Sequence, residues 1–293
     1  MLRTWHRPLV VFGGLMVVLI PIALLGLLID DRTLVNSPIW LKPLKFAVSL
    51  AIYAFTLAWL LTYLKRFQRV GWWAGTILAT AGALEMVVIV GQVVRGKRSH
   101  FNFETPLDTT LFSIMGSTIV VLWVTHAIVA VLLWRTKIEN EALSWSIRLG
   151  LLISFLGLGV GFLMTQPKPG QALDGGTLGA HTVGAPDGGA YMAITGWSTE
   201  HGDLRVGHFV GMHALQVLPV LIALLGNRAN AKLAWVASGS FLGIFLLVTW
   251  QALRGQSLVQ PDSTTLLALA GIIVATALGV VWARAPKKEL VNA

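Results

Sequence analysis

The chain has 293 residues, of which 55% are hydrophobic and only 12% charged, with a formal charge of +9. A soluble domain carries about 25% charged residues, so the composition excludes an ordinary soluble fold and points to an integral membrane protein. The chain has no cysteine, which removes disulfides, iron–sulfur clusters, thiolate metal sites and cysteine nucleophiles.

Eight apolar stretches reach the roughly 20 residues that a hydrocarbon core of about 30 Å requires: about 9–29, 44–64, 71–94, 109–134, 147–165, 206–226, 233–253 and 264–283. None shows the dyad alternation of a membrane barrel, so the expected fold is all-α, a polytopic bundle of eight transmembrane helices. The first stretch, Leu9 to Ile29, lacks a small-residue cleavage site and reads as a retained helix rather than a signal peptide. The basic residues lie between the apolar stretches, as topology determinants do, which argues against a nucleic-acid partner. With a cytoplasmic N-terminus, 13 of the 22 Lys and Arg fall inside and nine outside; this predicts an N-in, C-in protein.

An internal repeat runs through the chain. The third stretch ends "GQVVRGKRSHFNFETPLDTTLFSIMG" (91–116) and the seventh "WQALRGQSLVQPDSTTLLALAG" (250–271). Both read Gln-x-x-Arg-Gly, a short loop, then Pro, an acid and Thr-Thr-Leu. More faintly, "LKPLKFAVSL" (41–50) lies over "LRVGHFVGMH" (204–213). Two tandem, parallel four-helix repeats are therefore expected, 1–138 and 139–293. Asp108 and Ser263, each before a Thr-Thr, are expected helix N-caps. Lys42, Lys45, Arg95, Arg205 and Arg254 all fall at the outer helix ends, where they would converge on a basic mouth suited to a carboxylate or phosphate.

Other polar residues stand inside apolar stretches. Arg205, His208, Met212 and Gln216 fall within about 80° of one another on a helix, with His213 beyond them. Glu85 and Gln92 share a face of the third stretch, Gln251 matches Gln92 in the seventh, and an acid at the depth of Glu85 is costly unless protonated, paired or wet. His126 reads as a structural residue. The long Gly-rich loop at 166–204 holds Trp197, His181, His201, Glu200 and Asp203, and its length predicts an ordered cap over the outer mouth. His201, Asp203 and His208 are a candidate divalent-metal set. No Gly-x-Ser-x-Gly, phosphate loop, His-Glu-x-x-His or dinucleotide fingerprint is present.

The stretches "PIWLKPLKFAVS", "GQVVRGKRSHFN" and "DLRVGHFVGMHALQVLP" resemble a group of bacterial eight-helix integral membrane proteins, which implies a cytoplasmic-membrane location and no particular activity. In architecture, two fused four-helix units also resemble haem A synthase, a likeness that implies paired haem-ligating histidines in equivalent helices. Here the second and eighth stretches have no histidine, the sixth has His208 and His213, and the fourth has His126.

Three functions follow as expectations. The first is a membrane redox protein with b-type haem or a metal, His208 or His213 being the axial ligand and Arg95, Arg205 and Arg254 pairing with propionates. The second is a transporter or binder of a small anionic or amphipathic molecule, with Glu85 as proton-coupling acid. The third is a scaffold whose polar residues only pin helices together. The lipid bilayer is the one partner all three share, and the internal symmetry removes any need for a dimer.

Overall fold

The computed structural model describes residues 5–168, Gln171 and 175–285 and is 71% helical. Helix α1 spans Arg7–Ile29, and a two-residue hairpin, β1 (Thr33–Leu34) with β2 (Ser37–Pro38), leads to α2 (Leu41–Leu60). Then come α3 (Gln68–Arg95), α4 (Pro106–Trp134) and α5 (Glu141–Met164). A second hairpin pairs β3 (Thr182–Val183) with β4 (Gly202–Asp203), followed by α6 (Leu204–Met212), α7 (Ala214–Leu225), α8 (Ala231–Leu253) and α9 (Ser263–Arg284). Among the described residues seven helices are long and apolar enough to cross a membrane, or eight if α6 and α7, which meet at 46°, form one bent span. Large apolar side chains such as Val11, Leu28, Val87, Leu267 and Val281 face outward, as a lipid-facing surface requires.

Helices begin earlier than their apolar windows because the first turns are polar and capped. Asn140 accepts from Leu143 N–H and Asn230 from Leu233 N–H, each satisfying a helix-start donor. The caps of α4 and α9 are Thr105 and Asp262, not Asp108 and Ser263. Asp108 instead reaches back to accept from the Thr105 hydroxyl at 2.6 Å while Thr105 accepts from Asp108 N–H, so the two side chains fix the helix start between them.

The sixth apolar stretch is broken where a single helix is expected. Ser154 Oγ on α5 donates to the Met212 carbonyl at 3.0 Å. Gln216 N–H then bonds the His213 carbonyl, three residues back, and a side chain inserted into the helical ladder bends the helix. The approach that allows this depends on glycine: a Cβ on Gly157 would overlap the Gly211 backbone, and one on Gly211 would lie 2.5 Å from Gly157 Cα. Small residues let α5 and α6 touch backbone to backbone.

Two larger apolar cores result, with a small third cluster of Ala142, Ile222 and Ala234 among the described residues. Leu9, Leu57, Leu78, Ile89 and Met115 hold α1–α4, while Phe101, Ile153, Val160, Leu204 and Phe245 hold α5, α6 and α8. His126 is fully buried between Tyr53 Oη at 2.9 Å and the Leu151 carbonyl at 3.2 Å, a structural tie joining α2, α4 and α5. The connections after α1, α3, α5 and α8 all lie at one end of the bundle, and that end carries the site.

Candidate functional site

Residues of the long loop fold back over this end. Leu178 N–H donates to the Phe101 carbonyl, Phe103 N–H to that of Gly176, and Ala180 N–H to that of Met164. Asn36 Nδ2 reaches the Gly188 carbonyl at 2.5 Å, and Ser257 Oγ donates to the Ser198 carbonyl at 3.1 Å. Segments from all four connections are thus tied into one cap. Beneath it lies a cavity of about 460 Å³.

The cavity is cationic along one wall and apolar along another. Lys42 and Lys45 come from α2, one helical turn apart, and Arg205 from the start of α6. Phe46, Ile89, Val93 and Phe101 supply the apolar surface. Lys45 Nζ donates to the Thr195 carbonyl at 2.7 Å, and Lys42 Nζ lies 5.8 Å from the Phe46 ring centroid. Arg205 binds Asp203 through Nε at 2.9 Å and Nη2 at 2.5 Å, and it also donates to the Gly196 carbonyl. Val35 and Phe101, with φ of 52° and 58°, both line the cavity. Such left-handed geometry costs on the order of 1 kcal/mol or more per residue and tends to collect at working sites.

Two imidazoles, each beside a carboxylate, complete the lining. His181 Nδ1 lies 2.7 Å from Asp187 Oδ2. Asp187 Oδ1 also accepts from His181 N–H, Thr182 N–H and the Thr182 hydroxyl. Burial alone would raise the Asp187 pKa, but the bonds from His181 and Thr182 override it and hold the group below the usual carboxylate range. Burial, reinforced by nearby Arg205, keeps His181 below its ordinary value. His100 lies with Nε2 3.4 Å from Glu85 Oε1, and burial with Lys42 nearby holds it well below the usual imidazole range. Glu85 is 2% exposed, and neither of its oxygens has a hydrogen-bond partner among the described residues.

These shifts have a common sign. Folded His181, His100 and Asp187 bind protons more weakly than the unfolded chain does, so acidification favours unfolding. The unfolding temperature is expected to fall as pH drops from 7 through the imidazole range near 6.5, and again below about 4 in the carboxylate range. Thermal scans across this interval measure it; a flat profile between pH 7 and 5 contradicts the imidazole contribution.

Of the expected basic mouth, Lys42, Lys45 and Arg205 do line one cavity. Arg95 and Arg254 do not. Arg95 pairs with Asp108 at 2.7 Å and Arg254 with Asp262 at 2.5 Å. Gln92 Nε2 bonds the Arg98 carbonyl and Asp108, and Gln251 Nε2 bonds the Ser257 carbonyl. Each Gln-x-x-Arg-Gly segment ends in a left-handed glycine, Gly96 or Gly255, and anchors the loop that follows. These residues hold the cap's supports and stand outside the cavity.

The residues expected to hold a metal or haem are not gathered in one place. Among the described residues no three His, Cys, Asp or Glu side chains are grouped to hold a metal ion. His201 lines the cavity, but Asp203 is taken by Arg205 and by Ser198 N–H, and His208 turns Nδ1 to the Gly157 carbonyl at 2.8 Å. Neither His208 nor His213 lines the cavity. All three guanidiniums proposed for propionates already hold carboxylates. His213 and Gln216 sit at the helix break, where His213 Nε2 and both Gln216 amide atoms are buried without partners among the described residues.

His100, His181 and Asp187 are lining residues that the sequence reading did not single out as a site. The sequence signal for His181 and Asp187 is an acid six residues after a histidine in a Gly- and Pro-containing loop, "HTVGAPD". No family model, curated protein or solved structure matches this chain.

Proposed function

We propose that this is a multi-pass protein of the bacterial cytoplasmic membrane, with both termini cytoplasmic, that binds a small anionic or amphipathic molecule in the capped cavity. The observation that carries this reading is an excess of cations in a partly enclosed space. Lys42, Lys45 and Arg205 line the cavity with Lys97 and Arg98; the last two pair with Glu104 and Arg205 with Asp203, while Lys42 and Lys45 have no acid within ion-pair distance among the described residues. Cationic groups removed from bulk water favour an anion strongly, since no solvent shell competes for it. The apolar wall of Phe46, Ile89, Val93 and Phe101 suits a ligand with a hydrocarbon portion.

The bias of Lys and Arg toward the opposite end of the bundle supports a cavity that faces away from the cytoplasm. The matching Gln92–Arg95–Asp108 and Gln251–Arg254–Asp262 segments support two fused four-helix units, 1–138 and 139–293.

Calorimetric titration of the detergent-solubilised full chain with inorganic phosphate and with succinate tests the reading. Binding is expected, with Lys42→Met weakening it at least about tenfold, or 1.4 kcal/mol. Arg95→Ala should leave the intrinsic affinity of folded protein within about twofold, because Arg95 is outside the cavity. Absence of binding by both anions, or a haem absorption band lost in His208→Ala, overturns the proposal.

A further inference from the structure

The same cavity holds a hydrogen-bond acceptor fixed in place. His181 shares a proton with Asp187 through Nδ1 at 2.7 Å. An ionised carboxylate accepts and never donates, so the proton resides on Nδ1 and the lone pair on Nε2. That edge is the one left for the cavity His181 lines, with the Phe101 ring packed edge-on at 4.9 Å. Asp187 is held by two backbone N–H groups and the Thr182 hydroxyl, so the imidazole cannot readily turn over.

A fully ionised oxyanion offers acceptors only. Lys42, Lys45 and Arg205 satisfy such oxygens, but one facing His181 Nε2 meets a lone pair with no proton between them, a costly desolvated mismatch. An oxyanion that keeps one hydroxyl donates to Nε2 and gains a bond instead. We propose that His181 makes this cavity selective for an oxyanion that keeps one hydroxyl, hydrogen phosphate or the monoanion of a phosphate monoester, over a fully ionised one such as sulfate. The inference rests on the anion-binding reading above.

Sulfate and phosphate are both tetrahedral and of similar size, so their comparison isolates the proton. Titrated at pH 7 and equal ionic strength into the full chain, inorganic phosphate is expected to bind at least about tenfold more tightly than sulfate. Asp187→Asn carries the sharper expectation. The asparagine carbonyl takes over the Oδ1 position, which accepts from His181 N–H and Thr182, and so places its NH₂ against Nδ1. That reverses the tautomer, turns Nε2 into a donor, and lowers the phosphate-to-sulfate ratio to one or below. Should that variant fold poorly, His181→Ala removes the acceptor while Asp187 keeps its bonds from the two backbone N–H groups and the Thr182 hydroxyl, and the ratio again falls toward one.

Equal wild-type affinities for the two anions overturn the selectivity while leaving the anion site standing. A ratio that persists in both variants overturns the assignment to His181, and failure of both anions to bind removes the underlying reading. The phosphate has two possible sources, free phosphate or a lipid headgroup. Repeating the measurement in nanodiscs with and without phosphatidic acid separates them, since a headgroup ligand makes the lipid suppress binding of added phosphate.

Discussion

Gly157→Ala is expected to destabilise the protein by about 3 kcal/mol, far more than one added methyl group usually does. The new Cβ would overlap the Gly211 backbone, and a backbone cannot rotate aside as a flexible side chain does. Either α5 and α6 separate along their contact, losing the packing of Phe245 against Gly211 and the bond from Ser154 to Met212, or the fold is lost. With total stability of about 5–15 kcal/mol in most domains, the yield of monodisperse protein should fall steeply. Gly116→Ala is the control. Nothing lies within 4 Å of a Cβ at that position, and alanine in a helix interior is favoured by up to about 1 kcal/mol over glycine. Thermal unfolding of the two variants side by side measures the contrast, and similar behaviour would refute the close contact.

Arg205→Ala should have a comparable effect through charge. It strips Asp203, whose side chain is 1% exposed, of the guanidinium that neutralises it. Removing one member of a buried ion pair costs about 3–5 kcal/mol, chiefly because the other charge is left uncompensated. Asp203 also caps α6 and accepts from Ser198 N–H, so the damage falls on the junction between cap and bundle. The double variant Arg205→Ala/Asp203→Asn removes the orphaned charge and should recover more than half of the lost stability. It should not recover anion affinity, because the cavity remains one cation short. Restored binding in the double variant would show that Arg205 serves the fold and not the ligand.

The parts legible in the sequence were those set by local chemistry. Hydropathy located the seven long apolar helices, and the later starts it gives reflect polar capping turns at Asn140, Thr105 and Asn230 that hydropathy windows ignore. The bend at Met212–His213 was not legible, because its cause is a hydroxyl on a different helix, Ser154. At the site, Lys42, Lys45 and Arg205 could be named from their places at helix ends. Arg95 and Arg254 shared that position yet are spent on acids 13 and 8 residues further on, a pairing the Gln-x-x-Arg-Gly…Asp pattern itself contained. His181 with Asp187 and His100 with Glu85 depend on how irregular loops close on the bundle, and helical or strand periodicity carries no information about that.

The cavity draws Lys42 and Lys45 from an early helix and His181, Asp187 and Arg205 from segments more than 130 residues later in the chain. During synthesis α2 and α3 enter the membrane before the residues that will roof the site have been made. Until then Lys42 and Lys45 stand at an uncovered helix end, open to water and headgroups. The enclosed space therefore arises late, when α6 inserts and the cap closes, and chains halted before that point carry only half of its lining.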